Sequence, residues 1–150
     1  MKAYQIQNLK GLTSKLFLHE AFDQLLLFEA SFHTAASFVI DGKRNPSFYQ
    51  KEELEECKNR DYLLWSEVRP LCFQIIKGKR LPLSFRLVFL WPDHPEEADF
   101  LLNIRYDQEK LMIITGTNYH AFTRDRSLEQ EWDRTAAAFL DEIGAEYLEM

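Results

Sequence analysis

Five side chains between positions 69 and 80 could bind an anion or act as a nucleophile. They are Arg69, Cys72, Lys77, Lys79 and Arg80. They belong to a segment, from Val68 to Pro92, that contains no Asp or Glu, although the chain carries a formal net charge of -6. Clustered cations attract carboxylates and phosphates, so this basic segment is the first candidate for a binding site.

Arg69 has a specific predicted environment. Pro is tolerated in the first turn of a helix, so we predict a helix that begins at Pro70 and runs to Lys77. A guanidinium beside the free amides of a helix start could hold a carboxylate or phosphate through two hydrogen bonds. The alternative, which we favour, is an ion pair with Glu67 or with an acid in the C-terminal helix.

Lys77, Lys79 and Arg80 surround Gly78, which we expect to end this helix. Three exposed cations could contact a phosphate backbone, but so few charges give only weak, salt-sensitive attraction. The simpler interpretation is a solvated helix end. Arg69 lies about 12 Å away, at about 1.5 Å per helical residue. We therefore predict two small basic features rather than one site.

Cys72 has a catalytic and a structural interpretation. As a nucleophile it would need a lowered thiol pKa, from a nearby His or Arg or from a helix start. As a core residue it would share the apolar face of the helix with Leu64, Val68 and Ile75. We favour the core position. Neither Cys57 nor Cys72 belongs to a Cys-x-x-Cys pair, so both are expected to be reduced thiols.

Motifs for nucleotide, metal and hydrolase sites are absent from the sequence. It contains no Gly-x-Gly-x-x-Gly, no Gly-x-x-x-x-Gly-Lys-Ser/Thr and no Gly-x-Ser-x-Gly. The histidines lack metal-ligand spacing, and they are His19, His33, His94 and His120. We therefore predict no catalytic residue, no metal and no cofactor.

The acidic residues are concentrated at the C-terminal end. From Asp125 onward there are eight acidic residues against Arg126 and Arg134, which accounts for the entire net charge of -6. The basic and acidic segments could pair within one molecule, between subunits or with a partner protein. The acidic total argues against broad nucleic-acid binding, which stays an open alternative.

Hydrophobic periodicity predicts the elements that must position these residues. Asn8 caps a short helix bearing Leu9, Leu12 and Leu16, and residues 25–40 form one bulged strand or a hairpin. Within them Leu26, Phe28, Ala30 and Phe32 share one face. The remaining predictions are a strand over 2–7, a helix over 51–56, strands over 83–91, 99–106 and 110–117, a last helix with a Ser127/Gln130 capping box, and a final strand in the C-terminal tail.

These elements predict the fold class. Strands and helices connected by short loops, with one clear hairpin, indicate a single α+β domain over residues 1–150. We expect a mainly antiparallel sheet of about five to seven strands, with three or so helices packed on it.

Several segments resemble an uncharacterised family of bacterial hypothetical proteins, classed as a domain of unknown function. The segments are "WSEVRPLCFQIIKGKRLPLSFRLVF" (65–89), "LNIRY" (102–106), "TGT" (115–117) and "FTRDRSLEQEWD" (122–133). The resemblance implies a bacterial, cytoplasmic single domain. It brings no activity, cofactor, partner or functional residue.

These observations favour a non-catalytic binding or interaction domain over an enzyme. The sequence identifies no partner: a homo-oligomer or a protein partner is possible, and no membrane association is expected. One alternative is weak anion or nucleic-acid binding through the basic residues of 69–86, namely Arg69, Lys77, Lys79 and Arg80. Another is a cysteine-dependent enzyme that uses Cys72. The chain has no apolar run of about 18 residues and no secretory signal, so a cytoplasmic location is expected.

Overall fold

A computed structural model describes residues 1–58 and 60–150. Its elements, in chain order, are β1 (Ala3–Ile6), α1 (Leu9–Phe17), β2 (Leu26–His33), β3 (Ser37–Asp41), a 3₁₀ turn (Pro46–Phe48), α2 (Lys51–Glu56), β4 (Leu63–Leu64), α3 (Trp65–Ile76), β5 (Ser84–Leu90), β6 (Ala98–Asp107), β7 (Lys110–Tyr119), α4 (Ser127–Glu142) and β8 (Tyr147–Glu149).

The strands form one antiparallel sheet in the order β3-β2-β5-β6-β7-β1-β8, with β4 paired to β2. The predicted α+β class is therefore confirmed. The described part of the chain has eight strands and four α-helices, slightly more than expected. The strand that was not predicted is β4, which has only two residues and carries little periodic signal. The short strand β8 was predicted in the C-terminal tail.

One face of the sheet packs against α1, α3 and α4. Alternate residues of β5, β6 and β7 are buried on this face, as expected for strands with one covered side. Two buried tryptophans connect the helices to their surroundings, and both satisfy their indole N–H. Trp65 of α3 donates to the Leu16 carbonyl of α1 at 2.7 Å and its ring packs on Phe89 of β5. Trp132 of α4 donates to the Leu101 carbonyl of β6 at 3.0 Å.

The other face, which we call the open face, receives the alternate set of side chains. These include Ser31, Arg86, Val88, Asn103 and Arg105. A groove runs along this face, and no helical residue lines it in the described part of the chain. The open face is therefore where the sheet presents side chains to solvent.

A β-bulge in β2 corrects the predicted face assignment. We expected Leu26, Phe28, Ala30 and Phe32 to share one face, but the β2–β5 register shifts between Leu27 and Glu29. Leu27, Ala30 and Phe32 are consequently buried, while Phe28 is 42% exposed. The bulge adds one residue and reverses the alternation on either side of it. Residues 25–40 form the hairpin β2–β3, one of the two predicted alternatives.

Helix α3 begins five residues earlier than predicted, so the placement of Pro70 at the helix start was wrong. The true start is held by neighbouring groups, because the Trp65 amide donates to the Leu25 carbonyl and the Leu64 amide donates to Glu67. Pro70 lacks only the one amide that would bond four residues back, so the helix continues through it. Arg69 therefore lies inside the helix and not beside free amides.

The two helix caps that we predicted have different outcomes. The Asn8 side chain accepts a hydrogen bond from the Gly11 amide at 3.0 Å, which confirms Asn8 as the cap of α1. The Ser127/Gln130 capping box was wrong. Ser127 is the first residue of α4, and its amide is bound by the Asp125 carboxylate at 2.9 Å.

Arg44 holds the irregular segment between β3 and α3. Arg44 is buried, with 4% of the whole residue exposed. Its guanidinium donates two hydrogen bonds to the Glu67 carboxylate, at 3.1 and 2.8 Å. It also donates to the Tyr49 hydroxyl and the Arg60 carbonyl. A planar guanidinium can satisfy all these acceptors at once, whereas an ammonium cannot.

We predict that Arg44→Lys lowers the free energy of unfolding by about 2 kcal/mol, because charge-assisted hydrogen bonds contribute about 1.5–3 kcal/mol each and Lys retains only part of the set. Urea denaturation measures the change. Arg124→Lys, at an exposed position with no ion pair among the described residues, is the control. Equal stability of Arg44→Lys and wild type would contradict this role of Arg44.

Candidate functional site

The groove on the open face has a volume of about 510 Å³. Its floor is apolar and includes Val88, Leu90 and Leu101, while charged and amide side chains stand around the floor. Small-molecule sites commonly have this size, about 300–1,000 Å³, and this combination of an apolar surface with a few polar groups. The groove is therefore the main candidate site.

Arg86 and Arg105 lie directly opposite each other on β5 and β6. Both are exposed on the open face, and neither forms an ion pair within the described part of the chain. Directly opposed residues have Cβ atoms about 4.5–5.5 Å apart, and like charges at such positions destabilise a sheet. Because the two side chains start from neighbouring positions, both guanidinium groups can contact the same anion.

Asn103 lies next to this arginine pair, on the same face of β6. It pairs with Val88 across β5, two positions from Arg86. The Asn103 side-chain nitrogen donates one hydrogen bond, to the Ile114 carbonyl at 3.4 Å. Because an amide nitrogen carries two N–H groups and Asn103 lines the groove, its second N–H is a donor for a ligand there.

The opposite side of the open face is acidic. Glu29 and Asp41 lie directly opposite each other on β2 and β3. Asp41 accepts a hydrogen bond from the Lys43 amide at 2.9 Å, whereas Glu29 has no ion pair among the described residues. The charge on the open face therefore changes from negative to positive between the edge strands and the centre of the sheet.

A histidine and a carboxylate meet at the end of the groove near β6. His120 Nε2 lies 3.1 Å from Asp99 Oδ1, and its Nδ1 donates to the Glu96 carbonyl at 2.6 Å. Because both ring nitrogens face acceptors, the doubly protonated imidazolium is favoured. The hydrogen bond to Asp99 raises the pKa of His120 most, and the bond to Glu96 adds to it.

His94 approaches the same carboxylate, with its Nδ1 4.0 Å from Asp99 Oδ1. The fold thus brings together two histidines that are far apart in sequence. Across residues 1–58 and 60–150, no group of three or more His, Cys, Asp or Glu could hold a metal ion.

The structure places Arg69 in an ion pair. Its Nε and Nη2 donate to the two oxygens of Asp23 at 2.8 and 2.9 Å, so the contact is bidentate. Ion pairing is the alternative that we favoured, but the expected partners were wrong. Glu67 is bound to Arg44 instead, and Asp23 becomes the partner because it precedes β2 beside the start of α3.

Lys77, Lys79 and Arg80 lie in the connection between α3 and β5, and all three are exposed. None of them forms an ion pair among the described residues. The structure does not bring them together with Arg69, whose guanidinium is directed to Asp23. Their predicted role in binding an anion or a partner stays a prediction.

Cys72 is fully buried on the inner face of α3, the core position that we favoured. Burial raises the pKa of the Cys72 thiol to about 12. Almost none of it is therefore ionised at neutral pH, and the thiolate is the form that attacks an electrophile.

The acidic C-terminal segment forms its ion pairs elsewhere than with the basic segment. Glu129 and Asp133 bind the N-terminal amino group, and Glu149 binds Lys2 at 2.7 Å. No ion pair within residues 1–58 and 60–150 joins the basic residues of 69–86 to the acids after position 125. Among the described residues, the two segments therefore form no direct ion pair within one molecule, which was one of the three proposed arrangements.

Sequence reasoning missed the pairing of Arg86 with Arg105. Both residues occupy polar positions of alternating strands, so the sequence signals that each points away from the core. Their direct opposition depends on which strands are neighbours and on the register between them. Neither property can be read from the two segments separately.

A protein family described as "Family of unknown function (DUF5721)" matches residues 15–99 and 94–147. The chain belongs to this family. Membership confirms the expected resemblance to an uncharacterised domain, and the family description assigns no activity. No curated protein and no solved structure matches the chain.

Within the residues that the structure describes, no helix is both long enough and apolar enough to cross a membrane.

We predict that His120 titrates above its ordinary value of 6.5, and that Asp99→Asn lowers this midpoint. Because the folded-state pKa is raised, the associated stability is complete below about pH 6.5 and is lost as the pH rises through the folded-state pKa. NMR titration of the imidazole resonances measures the His120 midpoint in wild type and in Asp99→Asn. Glu97→Gln is the control, since Glu97 contributes least to the shift. A midpoint unchanged in Asp99→Asn would contradict the assignment.

We also predict that iodoacetamide alkylates Cys57 in the folded protein and leaves Cys72 unmodified. Cys57 is partly exposed, whereas Cys72 is buried and its thiol pKa is about 12. Peptide mass spectrometry distinguishes the two sites, and labelling in urea shows that both thiols can react. If both residues were alkylated to a similar extent in the folded protein, Cys72 would be a reactive thiol and again a candidate nucleophile.

Proposed function

We propose that this protein is a non-catalytic binding domain, and that its ligand is a compact organic anion held on the open face. A carboxylate or a phosphate would be bound by Arg86 and Arg105. The observation that carries the proposal is their direct opposition on neighbouring strands without an acidic partner among the described residues. An oxyanion between two guanidinium groups would replace their repulsion with charge-assisted hydrogen bonds.

The surroundings of the arginine pair support a small ligand over a polymer. Glu29, Asp61 and Asp99 also line the groove, so an extended phosphate backbone would approach carboxylates as well as arginines. A single anionic group touching only the pair avoids this repulsion. The apolar floor formed by Val88 and Leu101 can take the carbon skeleton of such a molecule.

Binding is proposed in preference to catalysis because of the side chains around the groove. Its described lining includes no Ser, Thr, Cys or Lys, which supply the usual hydroxyl, thiol and amine nucleophiles. Cys72 lies in the core on the far side of the sheet. The proposal keeps the predicted anion-binding chemistry, but it takes only Arg86 from the basic segment and adds Arg105.

We predict that Arg86→Gln and Arg105→Gln each stabilise the ligand-free protein, by about 0.2–1 kcal/mol, because each removes a directly opposed like charge. Each substitution should also abolish stabilisation by an added anion, which arises from preferential binding to the folded state. Thermal and urea denaturation with and without inorganic phosphate or citrate, at about 10 mM ionic strength, measures both effects.

Arg134→Gln is the matched control, since Arg134 is exposed on α4 and has no ion pair among the described residues. It should retain the anion-induced shift of wild type. The proposal fails if neither anion stabilises the wild-type protein, or if the control loses the shift as fully as Arg86→Gln and Arg105→Gln. It also fails if both of these arginine variants destabilise the ligand-free protein.

A further inference from the structure

A second groove lies on the helical side of the sheet, where α1 meets the end of α3. Its volume is about 440 Å³. Leu9, Thr13 and Phe17 of α1 form one wall, and Ile76, Leu81 and Phe85 contribute to the rest. No acidic residue lines it in the described part of the chain. The lining is therefore apolar over most of its extent, and its size is within the usual range for a small-molecule site.

Cations border this apolar groove on two sides. Lys10 of α1 is itself a lining residue. Lys77 directly follows the lining residue Ile76, and Lys79 and Arg80 directly precede the lining residue Leu81. These four side chains are exposed and form no ion pair among the described residues. Asp107, which directly follows the lining residue Tyr106, is the acid adjacent to this lining in sequence. The groove thus combines an apolar interior with a border on which cations outnumber acids.

The leucine at the edge of the groove is poorly covered. Leu81 is 73% exposed, although it lines an apolar surface. An apolar ligand lying against it would remove that surface from water, which favours binding. Apolar burial and positive charge together specify a ligand that has a hydrocarbon part and an anionic end.

We propose that this groove binds a fatty-acid anion. The acyl chain lies along the apolar lining between α1 and the 81–85 segment, and the carboxylate lies at the cations formed by Lys10 and the 77–80 connection. This gives Lys77, Lys79 and Arg80 a shared anionic partner. The apolar lining disfavours nucleic acid, whose backbone would gain nothing from it.

This site is independent of the arginine pair on the open face. The two grooves lie on opposite sides of the sheet and share no lining residue. Substitutions in one groove should leave binding in the other unchanged, so each proposal can fail without the other.

The test uses isothermal titration calorimetry with dodecanoate below its critical micelle concentration. Wild type should bind one dodecanoate per chain with saturation. Leu81→Asp should weaken binding by at least about tenfold, which corresponds to about 1.4 kcal/mol, because it places a polar anion in the groove. Leu83→Asp is the matched control, since Leu83 is 74% exposed and does not line the groove.

A second variant and a second ligand test whether the cations contribute to binding. Replacing Lys77, Lys79 and Arg80 together by Ala should weaken dodecanoate binding several-fold and reduce its salt dependence. Dodecanol, which lacks the carboxylate, should bind wild type more weakly than dodecanoate does. The triple variant should bind dodecanol and dodecanoate with equal affinity. Circular dichroism spectra establish that each variant is folded.

Three results would overturn the proposal. The first is the absence of saturable dodecanoate binding by wild type. The second is an equal loss of affinity in Leu81→Asp and Leu83→Asp, which would indicate nonspecific contact with exposed leucines. The third is dodecanol binding as tightly as dodecanoate, which would remove the role assigned to the cations.

Discussion

The register between β5 and β6 is the constraint on which the open face depends. Three core-facing residues of β5 lie opposite core-facing residues of β6, and the pairs are Phe85 with Tyr106, Leu87 with Ile104, and Phe89 with Leu102. A slip of one residue would move this whole set to solvent. Burying each large apolar side chain is favourable by about 1.5–3 kcal/mol, whereas opposed like charges cost about 0.2–1 kcal/mol. Core burial therefore wins, and it holds Arg86 against Arg105.

The basic residues differ in environment because the fold supplies acids to some of them and not to others. Asp23, beside the start of α3, satisfies Arg69, and Glu67 satisfies the buried Arg44. The exposed cations around Gly78 and the arginines of the open face have no such partner among the described residues. An unpaired cation is informative only where the backbone holds it beside a surface that a ligand can cover. Both proposed sites meet that condition.

Most elements and the fold class were predictable because their physical signals are local. The capped α1, the hairpin β6–β7 and the buried stripe of α4 each repeat an apolar pattern over several turns or pleats. The errors arose where hydrogen bonds and strand register overrode the signal of a single residue or of simple alternation. The Leu25 carbonyl and Glu67 start α3 before Pro70, and a bulge reverses the alternation at Phe28. The predicted site residues were cations chosen because they lie close together along the chain. Closeness along the chain does not tell which acids they contact in the fold.

The sequence by itself determined the α+β class, the strand and helix order, the core position of Cys72 and the exposure of the cations around Gly78. These properties follow from periodicity, from Gly and Pro, and from the preference of apolar side chains for the interior. Only the tertiary structure decided that Asp23 pairs with Arg69, that Asp99 receives His120, and that Arg86 faces Arg105. Each of these contacts joins residues at least nineteen positions apart. Such contacts depend on strand order and register, which the packing of the whole core selects.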